Sequence, residues 1–459
     1  MGKRIFLVAA VMFVVVCVGL GGWFFLQQWG RIDLSLCRSN CRYIDFYGVN
    51  LVGINVNGID LSRIDDLGGI DLSRANLRGV DLSGFNLAMT NLTQADLRRT
   101  NLQGANLEGA NLSGAILSEV DLSNTNLNGT NLNQADLRGV NLSNTNLHSV
   151  NLRGAKIDDN TQMDAKWHLV WEIVNQEIAS RNFQEADLSG VDLREADLNT
   201  ADLSLANLYQ ADLSQANLSG VNLSGADLRE ANLQQANLYK ADLRGADLRK
   251  TNLDDANLGS ADLTKTDLRE ASLNKTNLSL ATLFGSDIRQ SDLYGANLRL
   301  ADLRVNNLSG ANLNKTNLRG TKLNKAQMNG KWYLVWQIVN HRGPQRWELQ
   351  GVDLSEADLR SANLEKADLH ATNLEKTNLS RATLNQTNLR EANLKNAELN
   401  GANLREADLT EANLNQADLR STNLDGANLD QANLTGAKYN DQTQWPENFT
   451  PPTDAIKEE

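Results

Sequence analysis

The sequence predicts an all-β solenoid of four-sided coils, and three observations predict it. From Leu188 to Leu323 a leucine stands at every fifth position, with Ile288 the one substitute. On an α-helix a step of five turns about 140° past a full revolution, which would scatter the leucines round the axis; in a flat strand the odd step alternates faces. A path that turns a corner every five residues instead sends each leucine inward. The small residue two places before it, as in Ala186, Val191, Ala196 and Ala201, goes with it. The third observation counts the sides. Read every twenty residues, the positions just before the leucines sort into columns, one running Asn217, Asn237, Asn257, Asn277, Asn297, Asn317 and its neighbour Asp202, Asn222, Asp242, Asp262, Thr282, Asp302. Read every fifteen they mix. Four pentapeptides per coil bring like residues together, and stacked asparagine amides are expected to hydrogen-bond along the column as they do in cross-β stacks. Asn86, Asn106, Asn126 and Asn146 repeat the effect earlier in the chain.

Residues 1–30 stand apart from the coils. After Lys3 and Arg4, the run from Ile5 to Leu26 carries no charge, and about twenty apolar residues is the length of a bilayer-spanning helix. A cleaved signal peptide is the alternative, but the run outlasts a usual apolar segment and no Ala-x-Ala site follows it; a lipoprotein site at Cys17 lacks small residues ahead of it. The segment is therefore assigned as a single N-terminal transmembrane helix. Lys3 and Arg4 nearly balance Arg31, Arg38 and Arg42 across it. The habit of short basic N-termini to stay in the cytoplasm tips the expectation toward a repeat region on the non-cytoplasmic side, periplasmic or lumenal. Cys37 and Cys41 are spaced for a small disulfide loop in such a space, or are two ordinary cysteines in an opening turn; with no second pair, zinc is not indicated.

Three stacks of repeats follow. The first, residues 31–160, opens with large residues such as Ile44, Phe46, Val49 and Ile54 at the inward positions, and one extra residue in Ile64-Asp65-Asp66-Leu67 shifts the register as a bulge does. From Leu72 to Leu152 the register holds and Ile157 continues it. Residues 161–182 break it, with Trp167, Val170, Trp171, Val174 and Ile178 at helical spacing, the mark of a short amphipathic helix. The second stack covers 183–326. A second helical insert, 327–347, repeats the first as Lys331-Trp332-Tyr333-Leu334-Val335-Trp336-Gln337-Ile338-Val339-Asn340 and is stopped by Gly343-Pro344. The third stack covers 348–445 and leaves through Ala437-Lys438-Tyr439-Asn440-Asp441, which echoes Ala155-Lys156-Ile157-Asp158-Asp159. Residues 446–459 read as a disordered tail. The end of a coil stack exposes an apolar disc and unpaired backbone groups. Trp167, Trp171, Trp332, Trp336 and, at the last exit, Trp445 are large enough to cap such discs. Asn306, at an inward position two before Leu308, predicts a local bulge or a hydrogen-bonded interior amide.

The recurring Ala-(Asp/Asn)-Leu-x-x motif, from about Tyr43 to Tyr439, resembles the pentapeptide-repeat family, in the manner of a bacterial, cyanobacterial-type, membrane-anchored member. The resemblance implies a right-handed quadrilateral β-helix, and the handedness comes from the resemblance alone. It says little about activity, although some members look like an acidic duplex and inhibit a topoisomerase.

Chemistry finds no foothold. His148, His168, His341 and His370 are too scattered for a metal cluster or a catalytic relay, no glycine-rich phosphate loop occurs, and the Gly-Gly-x-Gly-x-Asp repeat of calcium solenoids is absent. Every serine or aspartate of a repeat has dozens of equivalents, whereas an active site needs a unique environment. The reading is therefore not an enzyme, with no catalytic residue, cofactor or metal. A net charge of -12 repels phosphate backbones, so no direct nucleic-acid binding is expected. The function expected is a membrane-tethered, non-catalytic scaffold whose flat polar faces bind a protein partner. The alternative is an acidic DNA mimic that inhibits a topoisomerase, against which stand the interspersed Lys and Arg, the interrupting helices and the anchor.

Overall fold

Each pentapeptide closes a corner locally. The computed structural model describes residues 52–53, 66–176, 180–323, 328–341 and 346–458, and a corner from its middle serves for all. The Ala231 N–H donates to Leu228 O at 3.0 Å, closing a β-turn, and Glu230, just before the alanine, takes the left-handed conformation at φ 59°. A side chain at such a φ costs on the order of 1 kcal/mol, so glycine suits the position, as at Gly220 with φ 65°; elsewhere the hydrogen bonds to the next coil hold it. Those bonds are regular. The Leu228 N–H donates to Asp247 O at 2.8 Å and the Asp247 N–H to Ala226 O at 2.9 Å, which makes Asp227 and Asp247 a parallel bridge pair. Within the stacks the bridges join residues twenty apart, which confirms four sides to a coil. Each side contributes one bridge residue, so the β structure consists of columns of single parallel bridges rather than long strands.

The interior is a narrow aliphatic tube. Its leucines and alanines are buried, most with no exposed surface at all. A buried leucine contributes about 2 kcal/mol while ordering each residue costs about 1 to 2 kcal/mol, so one coil cannot stand alone and stability comes from stacking. Threonine enters the tube without leaving a hydroxyl unpaired: Thr251 Oγ1 donates to Leu228 O in the preceding coil at 2.8 Å, and Thr276 Oγ1 to Leu253 O at 2.7 Å. Asn306 is completely buried and is the interior amide its position predicted. Its Nδ2 donates to Ser286 Oγ at 3.0 Å, while its Oδ1 has no partner.

The chain divides into two compact units, one ending at Ala179 and including Gly190–Leu193, the other made of Ser180–Ser189 and Arg194–Glu459. In the first, coils bridge from Asp66 to Gln162 and are followed by helix α1, Ala165–Asn175. In the second, coils run from Asn182 to Lys322, helix α2 spans Gly330–Asn340, and coils resume from Glu348 to Gln444. The last coil before α1 and the last coil of the chain share one exit: Asn141 pairs with Gln162 and Asn423 with Gln444, one residue beyond the usual offset. In both a turn is closed by a threonine, the Thr161 N–H on Asp158 O and the Thr443 N–H on Asn440 O, each 3.0 Å.

Two expectations need correction. The tail is not disordered as far as residue 458: strand β1, Lys438–Tyr439, pairs in parallel with strand β2, Ile456–Lys457. The Ile456 N–H donates to Ala437 O and the Glu458 N–H to Tyr439 O, both at 2.8 Å. Glu458 also pairs with Lys438 at 2.7 Å and Arg420 at 3.1 Å. The last coil has open backbone groups, and the tail supplies one more rung. The buried stripe of α1 is Trp167, Val170 and Ile173, with Trp171 and Val174 only half-buried, because the Trp171 indole is turned to a backbone carbonyl. Among the described residues no helix is long and apolar enough to cross a membrane. The span Ile5 to Leu26, Cys37, Cys41 and Ile178 lie outside the described residues.

Candidate functional site at the helical joints and the flat faces

Inside a stack, where a threonine stands inward in the next coil, three backbone groups of a corner are met by that coil. In the corner from Leu228 to Ala231, Leu228 O accepts from Thr251 Oγ1. There too the Glu230 N–H donates to Arg249 O, and Ala231 O accepts from the Asn252 N–H. At the corner Leu152 to Ala155 no such coil follows, and α1 supplies substitutes. Asn175 Nδ2 donates to Leu152 O at 3.2 Å, the Gly154 N–H donates to Asn175 Oδ1 at 2.6 Å, and Trp171 Nε1 donates to Ala155 O at 2.7 Å. Helix α2 does the same at the corner Leu318 to Thr321. Asn340 Nδ2 donates to Leu318 O at 3.0 Å, the Gly320 N–H donates to Asn340 Oδ1, and Trp336 Nε1 donates to Thr321 O at 3.0 Å. In each helix the asparagine also donates to the carbonyl of the tryptophan four residues back, at 2.8 Å, which fixes the pair. A Trp-x-x-x-Asn helix thus imitates the hydrogen bonds of a missing coil. Sequence reasoning singled out the tryptophans and missed Asn175 and Asn340, although both close the repeated run Val-Trp-x-Ile-Val-Asn.

Trp167 and Trp332 are buried, each with the preceding lysine over its ring, Lys166 at 5.1 Å and Lys331 at 5.0 Å. Trp445 lies beyond the last coil, half-buried, stacked on Phe449 at 5.3 Å and edge-on to Tyr439 at 5.5 Å. Trp347, which no sequence signal marked, is buried at the first inward position after α2 and meets His341 edge-on.

Helix α2 is not at a free end. Lys331 Nζ reaches Asp353 Oδ2 at 3.0 Å and Ser355 Oγ at 3.2 Å in the coils that follow. Burial pushes the Asp353 carboxyl up, but the Ser355 bonds and Lys331 together outweigh it and hold the group at about 2. Beside the helix the coil ladder continues directly: the Lys315 N–H donates to Glu356 O at 2.6 Å. The Arg319 guanidinium donates to Arg360 O at 3.3 Å and Ser361 O at 3.0 Å. The helix is a splint inserted alongside a ladder that passes from one stack to the next.

The flat faces carry two ladders. On one, Asn257, Asn277, Asn297 and Asn317 each donate an amide N–H to the asparagine twenty residues earlier, at 2.8 to 3.2 Å, the stacking that the column predicted. On another, Arg229, Arg249, Arg269 and Arg289 each fork onto the aspartate two residues before, with Nη2 to Oδ2 at 2.5 to 2.6 Å. The first three also reach the aspartate of the next coil at 3.5 to 3.7 Å. The guanidinium fork holds the Asp227 and Asp287 carboxyls below their ordinary range, against burial. Tyr209 ends this row, its ring under Arg229 at 5.5 Å. Among the described residues no three His, Cys, Asp or Glu side chains come together as a metal site.

Four-sided coils with an aliphatic tube inside and side-chain ladders outside define a pentapeptide solenoid. Models of pentapeptide repeats match in eight copies, over residues 66–87, 75–114, 115–154, 182–220, 216–255, 251–290, 261–299 and 301–330, and a model of a pentapeptide repeat region matches 357–434. The chain belongs to the pentapeptide-repeat family, which implies a right-handed β-helix and is generally non-enzymatic. No curated protein matches the sequence. Among solved structures, the chain is similar to HetL, a pentapeptide repeat protein involved in heterocyst differentiation regulation from the cyanobacterium Nostoc sp. strain PCC 7120. The identity is 31%, over 60% of this chain and 97% of that one, with a TM-score of 0.22. It is similar to alr5209, a pentapeptide repeat protein of Nostoc PCC 7120, at 40% identity over 21% of this chain and 77% of that one, TM-score 0.20. It is also similar to a pentapeptide repeat protein from the thylakoid lumen of Arabidopsis thaliana, at 26% identity over 27% of this chain and 74% of that one, TM-score 0.22. Membership rests on the repeat sequence, not on these superpositions.

Proposed function

We propose that this protein is a non-catalytic scaffold, tethered to a membrane by residues 5–26 with its coils on the periplasmic or lumenal side, which binds a protein partner on a flat face. The observation that carries the reading is the arginine ladder of Arg229, Arg249, Arg269 and Arg289. Each guanidinium is already held by its aspartate, so a partner meets oriented donors whose side-chain entropy is largely spent beforehand. Repetition at the coil spacing of about 4.8 Å makes a planar, patterned surface without a unique reactive position. Trp167, Trp171, Trp332, Trp336 and Trp445 serve as covers and splints of the coil ends.

The same ladder weighs against the acidic DNA mimic acting on a topoisomerase. A duplex presents bare phosphates, whereas here the aspartates of this face are neutralised rung by rung. A supercoiling assay should show no inhibition at micromolar protein.

The scaffold reading is tested by affinity capture from solubilised membranes with the wild type and an Arg249→Glu, Arg269→Glu variant. A partner retained by the first and lost by the second is expected; equal capture removes the ladder as the docking face. Sidedness is tested by a membrane-impermeant maleimide on intact cells carrying Cys17→Ser and Cys37→Ser. Labelling of Cys41 is expected, and labelling only after lysis places the coils in the cytoplasm.

A further inference from the structure

Nine arginines lie in the coils from Arg194 to Arg319, and seven of them have an aspartate within 4.0 Å. The two that meet no carboxylate among the described residues, Arg299 and Arg319, stand one coil apart in the same column. The reason lies in the column itself. Its bridge residues are Asn297 and Asn317, so a guanidinium two residues on meets an amide engaged in the asparagine ladder where its counterparts meet an acid.

Both arginines line a cleft of about 520 Å³, bounded by the last coils before α2, the C-terminal end of α2 and the coils that follow. Leu300 supplies the exposed apolar wall, the nearly buried Ile338 and Val339 lie at its floor, and His341 borders the edge. Leu300 is 42% exposed, a large apolar group left to water at this edge. Among the described residues no acidic side chain lines the cleft, in a chain whose net charge is -12. Arg319 is pinned by its two bonds to Arg360 O and Ser361 O, so its remaining donors are held in place. The two arginines leave the backbone one coil spacing apart, about 4.8 Å, and a carboxylate can accept from both guanidiniums. The volume falls in the range of small-molecule sites, which join apolar walls to a few convergent polar groups.

We propose that this cleft binds a small amphipathic carboxylate, with the carboxylate between Arg299 and Arg319 and the hydrocarbon against Leu300, Ile338 and Val339. The site is independent of the scaffold reading, because the arginine ladder takes no part in it. The test is isothermal titration of the full-length protein in lipid nanodiscs with hexanoate, corrected for empty nanodiscs and set beside acetate and hexylammonium. Saturable binding of one hexanoate is expected, with much weaker acetate and no hexylammonium. Arg299→Gln and Arg319→Gln should each weaken hexanoate about tenfold or more, the worth of a charge-assisted hydrogen bond, and Leu300→Ser a few-fold. Circular dichroism should show the three variants folded, since all three positions are exposed. Absence of saturable binding, undiminished affinity in the folded double arginine variant, or hexylammonium binding as well as hexanoate would each overturn the proposal. Acetate equal to hexanoate would overturn its amphipathic part.

Discussion

Helix α1 is preceded by the N-cap Asp164, whose side chain makes no cap bond, and followed by the C-cap Gln176 in the left-handed conformation at φ 60°. Helix α2 is preceded by the N-cap Asn329, which accepts from the Trp332 N–H at 3.1 Å, and followed by the C-cap His341 in an extended conformation. The rings beside the second tryptophan differ as well: His168 is tilted against Trp171 at 6.1 Å, whereas Tyr333 stacks on Trp336 at 5.6 Å. Three things persist across these differences. They are the lysine over the first tryptophan, the buried stripe, and the Trp-x-x-x-Asn bonds to the corner beneath. The way a helix starts and stops is replaceable; the groups that finish an unfinished coil are not.

The comparison is broken most severely by removing the second tryptophan. Trp171→Ala and Trp336→Ala should each cost about 3 kcal/mol in local stability, read as faster hydrogen exchange in the coil beneath, and to a similar extent at both joints. A large loss at one joint alone would mean that the two helices do different work. Asn175→Ala and Asn340→Ala come next. Each strips partners from a backbone N–H and a carbonyl, for about 2 kcal/mol, and the amides of Gly154 and Gly320 should lose protection first. The caps sharpen the contrast at a smaller scale: Asn329→Ala should cost about 1 kcal/mol, whereas Asp164→Ala should be close to neutral in denaturant melts.

The smallest effect is one of pH. The folded Asp353 carboxyl is held at about 2 against an ordinary 3.8, so its contribution is fully present above 3.8 and is lost as the pH falls through 2. The stability difference between the wild type and Asp353→Asn, followed by acid titration of exchange in α2, should shrink across that window. A difference independent of pH would assign the Lys331 contact no electrostatic weight.

Much of this was legible beforehand because the solenoid obeys one offset. The period of twenty gives the partners of Asn277 and Asp247 by addition, and the five-residue step places Asn306 inward as a bulge or a hydrogen-bonded amide, of which the structure has the amide. Where the offset stops, legibility stops. The stripe of α1 was read as including Val174, but Ile173 is the buried residue, since the indole of Trp171 swings toward Ala155 O. The tail with Pro451, Pro452 and its charges looks solvated by composition. It is ordered by an open edge that composition does not display. Arg299 and Arg319 look like any other outward arginine until their columns are aligned with those that carry aspartate.

By itself the sequence determined the five-residue corner, the four sides, the aliphatic tube and the amide ladder, because all of these are contacts between a residue and its own repeat, and it marked where helices interrupt, because there the period changes from five to that of a helix. Only the tertiary structure decided which side chains complete the corners beneath α1 and α2, that the ladder runs on past α2, and that the tail returns as a last rung. Those contacts join segments of different pattern, and their partners are chosen by which backbone groups the ended stack leaves open.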